Sequence, residues 1–257
     1  MAIWTAFAQR GDYRFDAQRT QAEWAQLHAG DQEPLPQDER VLAAWALYHS
    51  GDFCEAANAG LQAGPAGMGV ANKATCIYAN YLEPKERVRL ALFLTVAQRA
   101  AAQAALEPNN VCAQYWQAYA LGRYSQGISV AKALAQGVGE RVKTALENTI
   151  CLQPLHADAH ICLGTFHAEV IDKVGPMVGN ITYGAKKETS LALFQHALRL
   201  TPHSAIAMME YANALVMLEG DCALEQSTQL YEQAAHSQPH DAMEHLDREL
   251  ARTLLAS

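Results

Sequence analysis

Four prolines divide the sequence at the ends of apolar runs. They are Pro108, Pro154, Pro202 and Pro239, so the intervals between them are 46, 48 and 37 residues. Around each corner, apolar residues recur every three to four positions, a spacing that predicts amphipathic helices. A proline ends a helix because it lacks a backbone donor and clashes with the preceding turn. The chain is therefore predicted to be a series of helix–corner–helix units.

Composition limits the fold and the partners of such a chain. Half of the 257 residues are hydrophobic. Alanine dominates this fraction, and β-branched residues are sparse, which favours closely packed helices over sheet. The formal net charge is −8, and general nucleic-acid binding needs a basic face. We therefore expect an all-α fold and no nucleic-acid partner.

The six cysteines and the apolar runs indicate the cellular compartment in which the protein is expected. No two cysteines form a CxxC pair, so neither a thiolate metal site nor a compact disulfide scaffold is predicted. The first residues lack a basic segment followed by an apolar stretch of signal length. No run approaches the roughly 20 apolar residues of a membrane helix. A cytoplasmic protein without a membrane span is expected.

The apolar pattern also predicts individual elements before Pro108. Asp38 is placed to cap the helix that follows it, and Gly51-Asp52 is placed to form a turn between two helices. The C-terminal segment predicts one more amphipathic helix, which would cover the end of the core. The predicted helices cover residues 2–9, 16–28, 39–49, 53–63, 68–82, 85–106 and 240–256.

Two segments interrupt the regular spacing, at residues 125–139 and 171–187. Taking 34 residues as the unit, the first two proline intervals contain about 12 and 14 extra residues. Both segments contain glycines, apolar residues and lysines, and loops of this length are often functional. The alternative is a short extra helix, for which Ser129–Gln136 is a candidate.

The helix after Pro108 carries an aromatic and basic set. Tyrosine and arginine concentrate binding energy at protein interfaces. The same residues could instead form the core between helices, and the sequence leaves both alternatives open. Asn72, Asn80 and Asn213 are weaker candidates for a binding surface. The set comprises Tyr115, Trp116, Tyr119, Arg123 and Tyr124.

Three histidines follow Pro154 on one helical stripe, at positions 156, 160 and 167. His160 and His167 lie about 10 Å apart along a helix axis, too far to share one ion. A catalytic zinc site normally needs three protein ligands, and the sequence contains no HExxH, GxSxG or Walker motif. We expect packing roles for these histidines, no metal or other cofactor, and no catalytic residues.

Residues at the turns, corners and close helix contacts follow one recurring pattern: Gly51, Phe53, Ala56, Leu163, Gly164, Phe194, Ala197, Leu198, Leu200 and Pro202. In these residues the sequence resembles the tetratricopeptide repeat (TPR) family. The resemblance implies a right-handed α-solenoid of stacked helical hairpins with two long insertions inside repeats. It implies one domain over 1–257, with a weak hairpin at 1–38, repeats at 39–239 and a capping helix at 240–257.

A narrower resemblance covers about residues 106–218. The stretch GRYSQGISVAKALAQGVGERVKTALE, then HADAHICLGTFHAEV and a Tyr-Gly loop, is similar to TPR-like proteins associated with bacterial TRAP transporters. It is also similar to the related regulator-of-microtubule-dynamics family. Members of the TRAP-associated group are exported and are thought to meet a periplasmic solute-binding protein.

These observations predict a non-enzymatic scaffold that binds a protein or peptide through a concave groove and the inserted loops. The alternative is a small-molecule or lipid-binding helical protein, with a pocket lined by Val174, Met177, Val178 and Ile181. Oligomer contact through the last helix is a lesser expectation. The predicted binding residues are Tyr115, Tyr119, Arg123, Lys132, His160, His167, Tyr183, Lys186 and Lys187.

Overall fold

The structure, a computed structural model, describes residues 4–256. These residues form α-helices and two short 3₁₀ turns without a β-strand, which confirms the predicted all-α class. The helices are α1 (Ala17–Ala22), α2 (Trp24–Leu27), α3 (Glu39–His49), α4 (Phe53–Gln62), α5 (Met68–Tyr81), α6 (Glu86–Leu106), α7 (Val111–Gln126), α8 (Val130–Ala135), α9 (Val138–Leu152), α10 (Ala157–Val174), α11 (Pro176–Tyr183), α12 (Lys187–Leu200), α13 (Ala205–Glu219), α14 (Leu224–Ala235) and α15 (Ala242–Leu255).

The helices pair as hairpins within two compact units. Unit 1 consists of residues 1–28, 32–152 and 240–243, of which the structure describes those from 4 onward. In it α3 packs on α4, α5 on α6 and α7 on α9. Unit 2 consists of residues 29–31, 153–239 and 244–257, described as far as 256. There α10 packs on α12 and α13 on α14.

Several helices begin at a side chain that accepts a bond from the first turn. Asp38 accepts from the backbone N–H of Arg40 at 2.9 Å, as the sequence predicts. Such caps stabilise a helix because its first four N–H groups lack partners within the helix. The same role is taken by Asp16, Asn110, Ser129, His156 and Ser204.

Small residues allow the helices of unit 2 to approach closely. A Cβ atom on Gly164 of α10 would lie 2.8 Å from the ring of Phe194 on α12. That ring stacks on Tyr211 of α13, with 5.4 Å between ring centroids. Ala251 of α15 is fully buried and packs with Met209 and Ala234. The glycine and alanine positions therefore set how near the helix backbones come.

The N-terminal part differs from the expected hairpin. Residues 4–16 are not helical, so the predicted helix at 2–9 is wrong from residue 4, and residues 2 and 3 lie outside the described residues. The predicted helix at 16–28 is interrupted at Glu23. Phe7 is buried and packs on Phe53. These tertiary contacts override the local helical pattern.

Both insertions contain a short helix. In unit 1, α8 begins after Ser129, within the candidate range 129–136. In unit 2, α11 occupies the middle of segment 171–187. It starts at Pro176 and ends at Tyr183, which is followed by Gly184 with a φ of +65°. A proline in the first turn and a left-handed glycine at the end are common helix boundaries.

Candidate functional site

The aromatic set on α7 divides into a buried and a half-buried part. Tyr115 and Trp116 are each 4% exposed, so they belong to the core. Tyr119 and Arg123 are half-buried. The guanidinium of Arg123 lies 5.4 Å from the centroid of the Tyr119 ring, a distance at which a cation is attracted to the ring face. The core alternative is therefore correct for Tyr115 and Trp116, and a binding role for Tyr119 and Arg123 stays a prediction.

A second arginine approaches the same region from the neighbouring hairpin. Arg99 of α6 is half-buried, and its Nε donates a hydrogen bond to Oδ1 of Asn72 on α5 at 2.6 Å. Asn72 is 1% exposed. The positive charges of Arg99 and Arg123 both act on the buried thiol of Cys76. We call Asn72, Arg99 and Arg123 the Arg99 site.

Among the described residues, the guanidinium of Arg99 has no carboxylate partner. Burial lowers the pKa of Arg99 below its ordinary value, and no carboxylate opposes this shift. The guanidinium stays charged because its ordinary pKa is far above neutral. Nη2 of Arg99 and Nδ2 of Asn72 are buried without a hydrogen-bond acceptor. The site therefore offers positive charge and two unused donors.

The cysteine beside these arginines is not an activated nucleophile. Cys76 is fully buried, and burial raises the pKa of its thiol above the ordinary value. Arg99 and Arg123 oppose this shift, but they are the smaller causes. A thiol needs a lowered pKa and access to act as a nucleophile. The arrangement fits anion attraction and does not fit thiol catalysis.

The histidines predicted on α10 lie in the packed seam of unit 2. His156 caps its own helix by accepting from the N–H of Ala159 at 3.2 Å. His160 contacts the carbonyl of Pro154 through Nε2 at 2.9 Å and packs edge-on against His196. Burial is the main cause that lowers the pKa of His160. His167 is buried as well.

His160 and His196 line an open groove between α10 and α12. The other lining residues are Glu188, Thr189, Ala192 and Leu193. In the described part of the chain, no group of three histidine, cysteine, aspartate or glutamate side chains is placed to hold a metal ion. The groove contains two imidazoles that pack against each other.

The remaining predicted residues lie on or next to the inserted helices. In unit 1, the ammonium of Lys132 on α8 lies 5.8 Å from the ring centroid of Tyr124. In unit 2, the ring of Tyr183 on α11 packs edge-on against Phe166. Lys187 forms an ion pair with Glu219 at 3.1 Å, and Lys186 is exposed.

The apolar residues of α11 face solvent. Met177, Val178 and Ile181 are 75%, 52% and 80% exposed. The predicted alternative, a small-molecule or lipid ligand, requires a pocket lined by these three residues and Val174. Because they are exposed, the described part of unit 2 provides an apolar surface at α11, and these side chains do not enclose a cavity.

Sequence reasoning missed Arg99. The residue lies beside the buried stripe of α6, which contains Val96, Ala97 and Ala100. The sequence does contain one indication of this residue, an arginine flanked by alanines of the apolar stripe. A guanidinium next to the core needs a partner, so such an arginine is a candidate for a polar contact. Asn72 is among the weaker candidates predicted from the sequence. No pattern among its neighbours in sequence indicates its contact with α6.

Comparisons with known proteins support the fold. No protein-family profile matches the sequence, and no match is found among curated proteins. The structure is similar to that of TTC0263, a thermophilic TPR protein of Thermus thermophilus, with a TM-score of 0.56. The two sequences are 14% identical, and the similarity covers 83% of this chain and 97% of that chain. The fold of this protein is therefore TPR-like.

Proposed function

We propose that this protein is a non-enzymatic scaffold that binds another protein or a peptide. The observation that carries the proposal is the half-buried pair of Tyr119 and Arg123 on α7, of which Arg123 also belongs to the Arg99 site. Tyrosine and arginine together provide contact area and charge, and both are enriched among the residues that dominate binding energy at interfaces. The TPR-like arrangement of paired helices supports it, because such repeats commonly present extended protein-binding surfaces.

The inserted helices add a second contact region to the proposal. The exposed face of α11 combines Met177, Val178 and Ile181 with the nearby exposed Lys186. Exposed apolar clusters with a polar rim are typical of protein contacts. The narrower resemblance to TRAP-associated proteins rests on the sequence alone, so we do not assign a periplasmic partner from it.

The proposal also includes a cytoplasmic location, which the cysteines support. All six cysteines lie in the described range, and each is a free thiol. Free thiols are typical of reducing compartments. Fluorescence microscopy of a tagged full-length chain tests the location, and a signal from the periplasm or another oxidising compartment would contradict it. Separately, none of the described helices is both long and apolar enough to cross a bilayer.

Peptide selection tests the binding function. Random peptides displayed on phage are selected on the wild-type chain, and the recovered peptides are measured by fluorescence anisotropy. The double variant Tyr119→Ala with Arg123→Ala should bind them at least about 30-fold more weakly, because interface hot spots contribute about 2 kcal/mol or more. Arg87→Ala, at an exposed position near the start of α6, is the matched control.

Two outcomes would contradict the proposal. Equal affinities for the wild type and the Tyr119/Arg123 variant would contradict binding at α7. Failure to enrich any peptide over several rounds would contradict the scaffold function. Circular dichroism melting of each variant checks that the helices remain folded.

A further inference from the structure

His160 of α10 contains a buried nitrogen atom that has no hydrogen-bond partner among the described residues. Its other ring nitrogen, Nε2, lies 2.9 Å from the carbonyl oxygen of Pro154. A carbonyl oxygen can only accept, so Nε2 carries the proton and Nδ1 carries the lone pair. Nδ1 is the buried atom without a partner. Because nearly all buried polar atoms in proteins have a partner, this lone pair is available to a ligand.

A second imidazole lies next to the His160 ring. The ring of His196 on α12 packs edge-on against it, with 4.6 Å between ring centroids. Two imidazoles that bind one ion through nitrogens at about 2.0–2.1 Å have centroids roughly 4.5–5 Å apart. Rotation of the half-buried His196 side chain is needed to bring one of its nitrogens to the ion, and such rotations are common on binding.

The sequence could not indicate this pair. The spacing along α10 excludes an ion that His160 shares with His167, because both residues lie on one helix axis. His196 is far from His160 in sequence and belongs to the helix that packs on α10. The fold of unit 2 therefore brings together two imidazoles that no local pattern connects.

We propose that His160 and His196 bind a divalent transition-metal ion, with Nδ1 of His160 and one ring nitrogen of His196 as ligands. A metal-bound histidine usually donates its other N–H to a carbonyl or carboxylate, which fixes its tautomer, and the carbonyl of Pro154 has this role for His160. Imidazole nitrogens suit Cu²⁺ and Zn²⁺, whereas Mg²⁺ prefers oxygen ligands. The inference goes beyond the proposed scaffold function and does not depend on it.

The chain supplies two ligands, and the groove leaves space for the others. Among the described residues, no group of three histidine, cysteine, aspartate or glutamate side chains is placed to hold an ion. His160 and His196 both line the open groove between α10 and α12. Water molecules or a group of a partner can therefore complete the coordination from the groove.

Two charged side chains near the pair have opposite effects on a cation. Glu188 lines the same groove but lies about 12 Å from His196 along the axis of α12, so it attracts a cation at longer range and is not a ligand. Arg199 is exposed, and its Nη2 lies 3.3 Å from Nδ1 of His196. This guanidinium repels the ion and occupies one ring nitrogen, so it must move into solvent when the ion binds.

Nuclear magnetic resonance of the full chain, labelled with ¹⁵N, tests the site. The observed signals are the ring nitrogens of His160 and His196, and the added ions are Zn²⁺ and, as the control, Mg²⁺, in a buffer that does not chelate metals. Zn²⁺ should shift Nδ1 of His160 and one ring nitrogen of His196 saturably, and Mg²⁺ should shift neither. Ions bound by exposed cysteines do not contribute, because each signal belongs to one ring.

Variants connect the shifts to the two side chains. His196→Gln, observed through the His160 signal, should weaken Zn²⁺ binding by about tenfold or more, since even the loss of an outer-shell partner costs about 10–100-fold. His160→Phe, observed through His196, should do the same. His203→Gln, at an exposed position after α12, should leave the affinity unchanged. Arg199→Gln should tighten binding, because it removes the competing charge, and a merely structural role for the histidines does not predict that gain.

Three results would overturn the inference. The first is an unshifted Nδ1 signal of His160 at saturating Zn²⁺, and the second is equal Zn²⁺ affinity of the wild type and His196→Gln. The third is an equal response to Mg²⁺, which would mean general attraction of cations by Glu188. Circular dichroism without added metal checks that each variant is folded. The scaffold function stands or fails separately, because the peptide selection measures the Tyr119/Arg123 variant without added metal.

Discussion

The imidazole of His49 contacts the carboxylate of Asp241 across 192 positions of sequence, with 2.6 Å between Nδ1 and Oδ2. Both side chains are almost fully buried within unit 1. His49 belongs to α3, and Asp241 immediately precedes α15. The residue that precedes the last helix is therefore held in the core of unit 1.

This contact predicts that residue 241 affects stability. Asp241→Ala should lower the free energy of unfolding by about 1–3 kcal/mol, because the His49 Nδ1 loses its partner in a buried site. Urea denaturation at pH 7 measures the change. Gln238→Ala, at a nearby exposed position, should have no effect. A stable Asp241→Ala variant would mean that water replaces the carboxylate.

Local signals explain how much of the fold could be predicted. The helix at 39–49 was predicted with both ends correct because Asp38 caps it and Gly51 follows it with a φ of +87°. Caps, prolines and positive-φ glycines act within a few residues, so a single sequence records them. The TPR-like class follows from the repetition of such units.

Long-range contacts explain what could not be predicted. Trp4 stacks on Tyr78 with 4.0 Å between ring centroids, and the backbone N–H of Thr5 donates to the Tyr78 hydroxyl. These contacts hold residues near the N-terminus in a non-helical conformation. The bond between Asn72 and Arg99 is of the same kind, because neither residue's neighbours in sequence indicate the partner.

Gly164 and Gly122 have different surroundings, so replacing each by alanine should change the stability in opposite directions. Gly164→Ala should lower the free energy of unfolding by about 1–3 kcal/mol, because its Cβ would overlap the Phe194 ring in a packed core. Gly122→Ala should raise it by roughly 0.5–1 kcal/mol, because that position is in the middle of α7 with nothing near the added Cβ and glycine weakens a helix. Thermal and urea denaturation measure both changes.

Adding Phe194→Leu identifies the cause of the Gly164 effect. The smaller side chain should recover part of the stability that Gly164→Ala loses, because the added methyl group then has space. If the double variant is less stable than the two single changes together predict, the methyl group and the Phe194 ring do not compete for the same space.

His160 predicts a pH dependence of stability. Its pKa is lowered in the folded chain, mainly by burial, so the unfolded chain takes up a proton first as the pH falls through about 6.5. The contribution of the neutral His160 side chain to the free energy of unfolding is therefore complete above about pH 6.5 and decreases toward pH 5. Replacing His160 by phenylalanine should make the melting temperature depend less on pH between 7 and 5.

An exposed histidine serves as the control for this effect. His203, at the corner after α12, is exposed, so His203→Gln should leave the pH dependence of the melting temperature unchanged. If His160→Phe and the wild type lose stability equally on acidification, other groups are responsible for the acid sensitivity.

Two residues of α11 should differ in their effect on the free energy of unfolding. Tyr183→Ser should lower the free energy of unfolding by about 0.5–1.5 kcal/mol, because it removes the ring that packs on Phe166. Ile181→Ser should change it by no more than about 0.5 kcal/mol, because the side chain is 80% exposed. Urea denaturation compares the two, and an equal loss would mean that Ile181 packs against the fold in solution.

The hydrogen bond between Arg99 and Asn72 predicts that replacing both residues is less destabilising than replacing Arg99 alone. Arg99→Met alone should leave the buried Oδ1 of Asn72 without its donor, at a cost of about 1–3 kcal/mol. Combining Arg99→Met with Asn72→Leu removes both polar groups and should restore or exceed the wild-type stability, because replacing buried charges by apolar groups is often neutral or stabilising by about 1–4 kcal/mol. Urea denaturation of the two single variants and the double variant measures the coupling.

The double variant distinguishes a binding role from a structural one. If the two residues serve mainly to hold α5 and α6 together, the double variant should be less stable than the wild type by at least the larger single loss. If they are kept for a ligand, it should be at least as stable as the wild type, because sites that are strained for binding gain stability when they are removed. Arg87→Met, exposed on the same helix, should leave the stability unchanged.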